Sequence, residues 1–341
     1  MPGYYFILPR QEVLTTDQQA ALNEPEHIAL SGGPGTGKSV VSMWRHISNY
    51  NQGRHSLLLT YTTTLKRYLQ ACCRSRNQSA ASRVGTSLRN QSLTQNQPFY
   101  EVIIDEAQDL APSFYSQICS PVSYGADDSQ ILYPTRCSTQ NQLAALFPNN
   151  VSYVLSRNFR STREIMQFVK RAFPIAAISN SMINNITRTG NKPSLLIGNW
   201  LSRINTPVQE VNAILQIIND LRNDTENIAI LVPWKSAVQN YASVLQNHID
   251  GFSYYYEDPT IFPNGCPDLK NVHITTFKSA KGLEFDTVII PDFNLMNTVI
   301  GQFNVDWNDY YVGCTRARSN LFLLSNTSFP NLNDVVNIYN I

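Results

Sequence analysis

The stretch Gly32-Gly33-Pro34-Gly35-Thr36-Gly37-Lys38-Ser39 has the pattern G-x-x-x-x-G-K-[ST], and it directly follows the apolar run His27–Leu30. In this pattern the glycines allow backbone N–H groups to surround phosphates, and the N-terminus of the following helix favours negative charge. We expect all eight residues to hold a nucleotide, with Lys38 on the β- and γ-phosphates and the Ser39 hydroxyl on Mg²⁺. The sequence therefore predicts a strand, a phosphate-binding loop and a helix, in that order.

A second apolar run, Val102–Ile104, ends in the carboxylates Asp105 and Glu106. An Asp-Glu pair alone is weak evidence, because many surface turns carry one. At the end of an apolar strand downstream of a phosphate loop, the pair suits ATP chemistry. We expect Asp105 to bind Mg²⁺ and Glu106 to orient and deprotonate the attacking water.

Short apolar runs alternate with helical patterns along the rest of the chain. The runs lack strict alternation of apolar and polar residues, which is typical of strands buried on both faces of a parallel sheet. They are His27–Leu30, Leu57–Tyr61, Val102–Ile104, Val151–Leu155, Ile228–Val232, Val272–Thr275, Thr287–Ile290 and Leu321–Leu324. Helical spacing of apolar residues appears in Val208–Leu221 and again between Val238 and Leu245. The pattern predicts an α/β protein with two parallel sheets.

Length and charge fit two domains of unequal character. The chain has 341 residues and a formal net charge of +1. Residues 1–209 carry 19 Lys or Arg and 11 Asp or Glu, whereas residues 210–341 carry 7 and 14. Between Glu26 and Glu101 the sequence has nine basic residues and no acidic one. This asymmetry indicates either a polyanionic partner for the first half or a basic face neutralised by the acidic half.

Several protein classes are excluded at this stage. No apolar run reaches the roughly 18 residues that span a bilayer, so we expect no membrane contact. The six cysteines form no C-x-x-C pair, so reduced thiols in the cytoplasm are expected rather than a disulfide framework or zinc site.

The first half resembles the superfamily 1A helicases of the UvrD, Rep and PcrA type. Asp105–Asp109 resembles their Walker B segment, and Leu14–Leu22 resembles their Q motif, which implies that Gln18 contacts adenine. Leu59–Thr64 is similar to motif Ia, and Gly125–Tyr133 is similar to motif III. The resemblance implies that Gln130 senses the γ-phosphate. It also implies that single-stranded nucleic acid is contacted by Thr60, Tyr61, Lys66, Arg67 and Tyr133.

The second half resembles the same family. Leu155–Thr162 is similar to motif IV, which implies that Arg160 reaches the γ-phosphate and that Phe159 stacks on adenine. Thr275–Asp286 is similar to motif V, which implies that Gly282 and Glu284 contact the nucleotide and that Thr276 contacts the nucleic-acid backbone. Tyr311–Ala317 is similar to motif VI, which implies that Arg316 is an arginine finger.

The resemblance implies two tandem RecA-like P-loop NTPase domains, named 1A and 2A in this family. We place domain 1A at residues 1–150, with the Q motif, Walker A, Ia, Walker B and motif III. Domain 2A takes residues 151–341, with motifs IV, V and VI. The intervals from Thr60 to Asp105 and from Arg160 to Thr276 leave no room for the family's accessory domains 1B and 2B, so we expect a minimal form.

Some positions depart from the family pattern. Thr135 occupies the position of a base-stacking Trp, Lys278 replaces the motif V histidine, and Trp307-Asn308-Asp309 replaces an acidic pair. The ATPase residues are intact, whereas several nucleic-acid residues are altered. Because base–aromatic stacking contributes about 1–3 kcal/mol per base, we expect the missing Trp to weaken strand separation more than hydrolysis.

Two hypotheses follow. In the first, the chain is a cytoplasmic, Mg²⁺-dependent ATPase that couples hydrolysis of ATP at the inter-domain cleft to translocation on, or remodelling of, single-stranded nucleic acid. DNA is favoured over RNA, and a protein partner could supply the missing accessory domains or a nuclease. In the second, the chain is an ATP-dependent regulatory switch that binds a protein and has no helicase activity. A P-loop kinase explains neither Asp105–Asp109 nor the motifs after Gly125.

Overall fold

A computed structural model describes residues 3–176, 178–200, 208–302 and 305–341, with the side chains at 208 and 209 excepted. The chain divides into two compact units. The first unit is Phe6–Asn158, and the second is Phe159–Ile341 together with residues 3–5. Each unit is built around one sheet whose strand pairs are parallel.

The first unit has a six-stranded sheet in the order β3-β2-β4-β5-β1-β6. Its strands are β1 Ile28–Ser31, β2 Ser56–Thr60, β3 Val84–Thr86, β4 Glu101–Asp105, β5 Val122–Ala126 and β6 Val151–Val154. Its helices are α1 Thr16–Asn23, α2 Lys38–Asn51, α3 Thr63–Arg74, α4 Gln78–Ser82, α5 Gln91–Asn96, α6 Pro112–Tyr115 and α7 Gln140–Leu146. Every residue of β2, β4 and β5 is buried, which explains their lack of polar alternation.

The second unit has a seven-stranded sheet in the order β13-β7-β12-β11-β8-β10-β9. Its strands are β7 Ser194–Ile197, β8 Ile228–Val232, β9 Ser253–Tyr255, β10 Val272–Thr276, β11 Phe285–Ile290, β12 Ala317–Ser325 and β13 Asn337–Asn340. Its helices are α8 Arg163–Ala172, α9 Asn180–Asn184, α10 Val208–Leu221, α11 Lys235–Leu245, α12 Phe277–Ala280, α13 Met296–Val299 and α14 Trp307–Cys314. The apolar faces of α10 and α11 pack on β8 and β10 and form the main core of this unit.

The predicted fold class is confirmed, because the structure has two α/β units with parallel sheets. All eight predicted strands are present within a few residues of their predicted ends, and α10 spans the predicted Val208–Leu221. The prediction missed five strands, β3, β5, β7, β9 and β13. They are short, and β5 carries Ser123, Gly125 and Ala126, so its sequence lacks a strong apolar signal.

The predicted boundary between residues 150 and 151 was placed too early. Strand β6 pairs with β1 in the first sheet, from Ile28 with Val151 to Ser31 with Val154. The first unit therefore continues to Asn158, and motif IV straddles the division. The prediction also missed that residues 3–5 belong to the second unit.

Within the described residues, no helix is both long enough and apolar enough to cross a membrane.

Candidate nucleotide site and nucleic-acid interface

The carboxyl edge of the first sheet gathers the polar residues predicted from the sequence. Strand β5 lies between β4 and β1 in the sheet. The loop after β1 carries Lys38, β4 ends at Asp105, and Asp127 follows β5 directly. Because the carboxyl ends of parallel strands meet at one edge, three separate sequence segments converge there.

The phosphate loop requires glycine at several positions. Gly32, Gly35 and Gly37 have φ angles of +141°, +70° and +95°, a region that residues with a Cβ atom rarely adopt. A Cβ atom on Gly37 would also lie 2.3 Å from Nε2 of Gln18. The glycines therefore determine both the turn of the loop and the close approach of Gln18.

Lys38 is held inside the loop that it terminates. Its Nζ donates to the carbonyl oxygens of Gly32 and Gly33, at 2.5 and 3.0 Å, and lies 3.8 Å from Oδ2 of Asp127. A Cβ atom placed on Gly125 would be 3.5 Å from both Asp105 Oδ1 and Lys38 Cβ. Lys38 and Asp105 thus lie against the same glycine of β5.

The oxygen atoms at this edge suit a magnesium ion. Asp105 is 1% exposed, and Ser39 is a half-buried residue in the first turn of α2. Carboxylate and hydroxyl oxygens are the ligands that Mg²⁺ prefers. Ser39 and Asp105 therefore have suitable oxygen atoms for the magnesium role predicted for them, which stays a prediction.

Asp127 is a central residue of the site that the sequence interpretation did not single out. Its carboxylate accepts hydrogen bonds from Nε2 of Gln130 at 2.6 Å and from the backbone N–H and hydroxyl of Ser129. Because it also faces Lys38, it places the predicted γ-phosphate sensor next to the phosphate-loop lysine. Its position after a buried strand was a usable signal, like that of Asp105.

Gln108 connects Glu106 to Asp127. Its Nε2 donates to Glu106 Oε2 at 2.5 Å, and its Oε1 accepts the backbone N–H of Asp127 at 3.1 Å. The side chain of Gln108 is completely buried. The amide of Gln108 therefore links the expected general base to Asp127, which in turn holds the expected phosphate sensor Gln130.

Glu106 has a left-handed backbone conformation, with φ +58°. A non-glycine residue pays a conformational cost there, and such residues cluster at functional sites. The conformation ends β4 and starts the turn that holds Ala107–Asp109. The surrounding packing therefore holds the catalytic candidate in a strained geometry.

Two further side chains brace the phosphate loop. Gln18 donates from Nε2 to the carbonyl of Thr36 at 2.9 Å, while its Oε1 accepts the N–H of Thr15 in a capping box that starts α1. Asn158 donates to the carbonyl of Pro34 at 2.7 Å, which the sequence interpretation missed. Both amide atoms of Gln18 are thus engaged by protein, and its contact with adenine stays a prediction.

The residues of the first unit that we expect to contact nucleic acid differ in their burial and in their neighbours. The rings of Tyr61 and Tyr133 meet at 4.9 Å between centroids with a 50° tilt, although 72 positions separate them in sequence. Thr60 is completely buried, so the geometry does not favour a contact by its hydroxyl. Burial, followed by the positive charges of Arg67 and Arg89, lowers the pKa of Lys66. That electrostatic coupling indicates a local concentration of positive charge on and after α3.

In the second unit, motifs IV, V and VI converge on one cluster. Arg160 Nε lies 3.0 Å from Oε1 of Glu284, and Arg160 Nη1 donates to the carbonyl of Thr315 at 3.4 Å. The Ser161 hydroxyl donates to the carbonyl of Ala317 at 2.7 Å. The structure thus brings together residues that are more than 150 positions apart.

Glu284 is the acidic centre of this cluster. Burial raises the pKa of its carboxyl, but the charges of Arg160 and then Arg318 outweigh burial and lower the pKa below its ordinary value. Arg318 also pairs with Asp286, at 3.3 Å from Nη1 to Oδ1. The sequence interpretation did not identify Arg318, although it follows the predicted arginine finger by two positions.

The other residues of this unit that we expect to contact the nucleotide are Arg316, Phe159 and Gly282. Arg316 is 1% exposed, and its guanidinium donates to the carbonyl of Val312 at 3.0 Å and to Oγ1 of Thr315 at 3.3 Å. Phe159 is 37% exposed. Gly282 has a φ of +84° in the loop that presents Glu284. The arginine-finger role of Arg316 stays a prediction.

Two departures from the family pattern meet in the structure. Lys278 Nζ lies 3.4 Å from Oδ2 of Asp309. Burial raises the pKa of the Asp309 carboxyl to about 6, although Lys278 acts in the opposite direction.

Thr276, the expected nucleic-acid contact, is buried and caps α12 by accepting the N–H of Ser279. Its direct contact with nucleic acid stays a prediction that this geometry does not favour.

These two clusters, one behind a phosphate loop and one built of arginine and glutamate, define a P-loop protein with paired α/β units. Residues 263–328 match the family model of the UvrD-like helicase C-terminal domain. Residues 25–182 match the Schlafen group 3 DNA/RNA helicase domain. Both matched families are helicases, and the chain is therefore similar to helicases in both of its units.

Individual proteins are also similar to this chain. A protein of Acanthamoeba polyphaga mimivirus, whose name is that of an ATP-dependent DNA helicase, is 29% identical over 255 residues. The match covers 68% of this chain, and the chain spans only about a third (35%) of that relative. The structure of Saccharomyces cerevisiae Dbp5 bound to RNA and ADP–BeF3 is similar with a TM-score of 0.59 and 11% identity, over 96% of this chain and 89% of that one.

A second similar structure is the helicase, nonstructural protein 10, of an arterivirus. It has a TM-score of 0.43 and 13% identity, over 94% of this chain and 63% of that one. The likeness to Dbp5 supports the RecA-like fold of both units.

Proposed function

We propose that the chain is a Mg²⁺-dependent ATPase that couples ATP hydrolysis to binding and translocation on, or remodelling of, single-stranded nucleic acid. The observation that carries the proposal is the carboxyl edge of the first sheet, where Lys38, Asp105 and Asp127 meet behind the phosphate loop. Phosphoryl transfer depends mostly on positioning and charge neutralisation, and these residues supply both.

In this proposal Lys38 leaves its carbonyl partners in the loop and binds the β- and γ-phosphates. Mg²⁺, held by Ser39 and Asp105, would neutralise developing phosphate charge. Glu106 accepts a proton from the attacking water, and Gln108 holds its carboxylate. Gln130, fixed by Asp127, contacts the γ-phosphate.

The arginine residues of the second unit complete the charge neutralisation. Arg160 and Arg316 contact the γ-phosphate, Phe159 stacks on adenine, and Glu284 contacts the ribose. The support is the family resemblance together with the convergence of motifs IV, V and VI within that unit. An arginine supplied to a transferring phosphoryl group contributes about 10³–10⁵ in rate.

Single-stranded nucleic acid is the proposed polymer, with DNA favoured over RNA. The paired rings of Tyr61 and Tyr133 offer a stacking surface that does not depend on base sequence. Lys66 and Arg67 lie on α3, in a stretch that has no acidic residue, and suit contacts with phosphates. The name of the mimivirus relative favours DNA, whereas the description of the Schlafen family model includes RNA.

We further propose a cytoplasmic protein with the minimal 1A and 2A arrangement, assisted by a partner that supplies accessory or nuclease domains. The alternative is an ATP-dependent switch that binds a protein. It is favoured by the burial of Thr60 and Thr276, two of the expected nucleic-acid contacts.

Oligonucleotide binding separates the two functions. We expect fluorescent dT and rU oligonucleotides to bind with an affinity that falls steeply as salt rises, because phosphate contacts release counterions. Replacing both Lys66 and Arg67 by Ala should weaken binding and flatten the salt dependence. Replacing Arg171 and Lys192 by Ala serves as a charge-matched control. If neither polymer binds detectably at low salt, the result favours the switch.

A further inference from the structure

The second unit includes a short segment from far away in the sequence. Residues 3–5, which we call the strap, belong to the second unit, whereas the chain from Phe6 onward belongs to the first. The strap contacts three loops. Each of these loops leads into a parallel strand of the second sheet, namely β8, β10 or β11. It therefore lies along the amino edge of that sheet.

Backbone and amide contacts fix the strap at this edge. Gly3 forms an antiparallel bridge with Lys270, and the N–H of Tyr4 donates to the carbonyl of Leu269 at 2.9 Å. Asn227 bonds both backbone groups of Tyr5, at 2.9 and 3.0 Å. These contacts place the side chain of Tyr4 in a defined position.

The hydroxyl of Tyr4 forms hydrogen bonds with both backbone groups of Glu284. It accepts the N–H of Glu284 at 3.2 Å and donates to the carbonyl of the same residue through a short hydrogen bond. The Tyr4 ring packs edge-on against Phe285, with ring centroids 5.7 Å apart. The residue is 5% exposed, so both hydrogen bonds are shielded from water.

These hydrogen bonds hold the backbone of Glu284, whose side chain remains accessible. The side chain of Glu284 is 30% exposed, and its carboxylate pairs with Arg160. Gly282, two positions earlier, has a left-handed conformation, which residues with a Cβ atom rarely adopt. We propose that Tyr4 is a positioning residue for nucleotide binding, which acts by holding Glu284 and its partner Arg160. This inference rests on the proposed function, in which Glu284 and Arg160 contact ATP.

The test compares Tyr4→Phe with Tyr5→Phe in the full chain. Tyr4→Phe keeps the ring against Phe285 and removes only the hydroxyl. Tyr5→Phe is the matched control, because the Tyr5 side chain is exposed and its contacts with Asn227 use the backbone. Tyr4→Phe removes both hydrogen bonds to the Glu284 backbone, and partial transmission of that loss to the nucleotide corresponds to about a fivefold change in binding. We expect Tyr4→Phe to raise KM for ATP about fivefold with little change in kcat. Tyr5→Phe should match the wild type.

Two further measurements separate positioning from general stability. In a Glu284→Gln background, Tyr4→Phe should raise KM no further, because its effect passes through the Glu284 side chain. In the nucleotide-free protein, Tyr4→Phe should speed hydrogen exchange of the Glu284 amide and leave the amides of β8 unchanged. An unchanged KM, or an increase that is fully additive with Glu284→Gln, would overturn the inference.

Failure of the proposed function gives a different result. A wild-type chain that neither binds nor hydrolyses ATP contradicts that function and, with it, the nucleotide role of Tyr4. Hydrogen exchange then still decides whether Tyr4 holds the Glu284 loop. Faster exchange of the Glu284 amide in Tyr4→Phe shows that Tyr4 holds this loop, and unchanged exchange refutes it.

Discussion

The two units assemble their polar residues in different ways. In the first unit, buried residues follow β1, β4 and β5, and neutral amides such as Gln108 link them to one another. In the second unit, ion pairs of arginine with Glu284 and Asp286, together with a hydrogen bond from Arg160 to the carbonyl of Thr315, join three distant motifs. The first arrangement fixes groups around one lysine, whereas the second keeps several cations near acidic partners. We infer that the first unit holds the nucleotide and that the second supplies positive charge.

The largest expected effect concerns Arg316 in the second unit. Arg316→Lys should lower kcat for ATP hydrolysis about 10³-fold with a small change in KM, because lysine lacks the planar guanidinium of an arginine finger. Steady-state hydrolysis measures both constants. Arg171→Lys, at an exposed ion pair with Asp334, should have no effect. A kcat within about threefold of the wild type would assign Arg316 a structural role only.

The next largest effect concerns a buried glutamate of the first unit, outside the site. Burial raises the pKa of Glu101, but the nearby His27, the charge of Arg45 and a hydrogen bond from Ser123 bring the pKa down to about 2. Since the folded-state pKa lies below the unfolded one, stability from this group is full above pH ~4.5 and is lost as the pH falls towards 2. The loss is about 3 kcal/mol. Urea denaturation should show this slope in the wild type and a flatter one, with lower stability at pH 7, in Glu101→Gln.

The second unit contains the opposite case and serves as the control. Glu210 is also fully buried, but burial and the nearby charge of Asp292 raise its pKa to about 8. The folded state therefore keeps a proton that the unfolded state releases, so stability falls as pH rises from ~4.5 to 8. Glu210→Gln should remove that decline. Parallel slopes for the two glutamine variants would contradict this electrostatic difference between the units.

A smaller effect is expected for Asp127 in the first unit. Asp127→Asn leaves the fold intact but weakens the contacts with Lys38 and Gln130. We expect hydrolysis to fall about 10–100-fold, as for residues that orient a catalytic group. Asp128→Asn is the matched control, because Asp128 is exposed and its carboxylate accepts the backbone N–H of Gln140. Equal rates for both variants would show that Asp127 has no positioning role.

The smallest effect is expected for Phe159. Phe159→Leu removes an exposed ring that we assign to adenine, and KM for ATP should rise about fivefold with kcat unchanged. Tyr254→Leu removes another exposed ring of the second unit and should leave KM unaltered. If KM for GTP rises as much as KM for ATP, the ring stacks on bases without selecting adenine.

The sequence predicted the parts of the fold that depend on local patterns. The phosphate loop, the strand before Asp105 and the apolar stripe of α10 each carry a signal within a few residues. The role of Asp127 depends on which side chains meet across β4, β5 and β1, and no spacing rule reports that. The strap was missed for the same reason, because its partners lie more than 220 positions away. The burial of Thr60 likewise follows from the packing of β2 between β3 and β4.

The most direct test of the central claim is ATP turnover with Mg²⁺, measured with and without single-stranded DNA, for the wild type, Lys38→Ala and Glu106→Gln. Lys38 and Glu106 lie at one sheet edge and are joined through Asp127 and Gln108. We predict that the wild type hydrolyses ATP, that DNA raises its rate, and that each variant loses at least about 10²-fold. Wild-type hydrolysis no faster than that of the two variants would contradict the account.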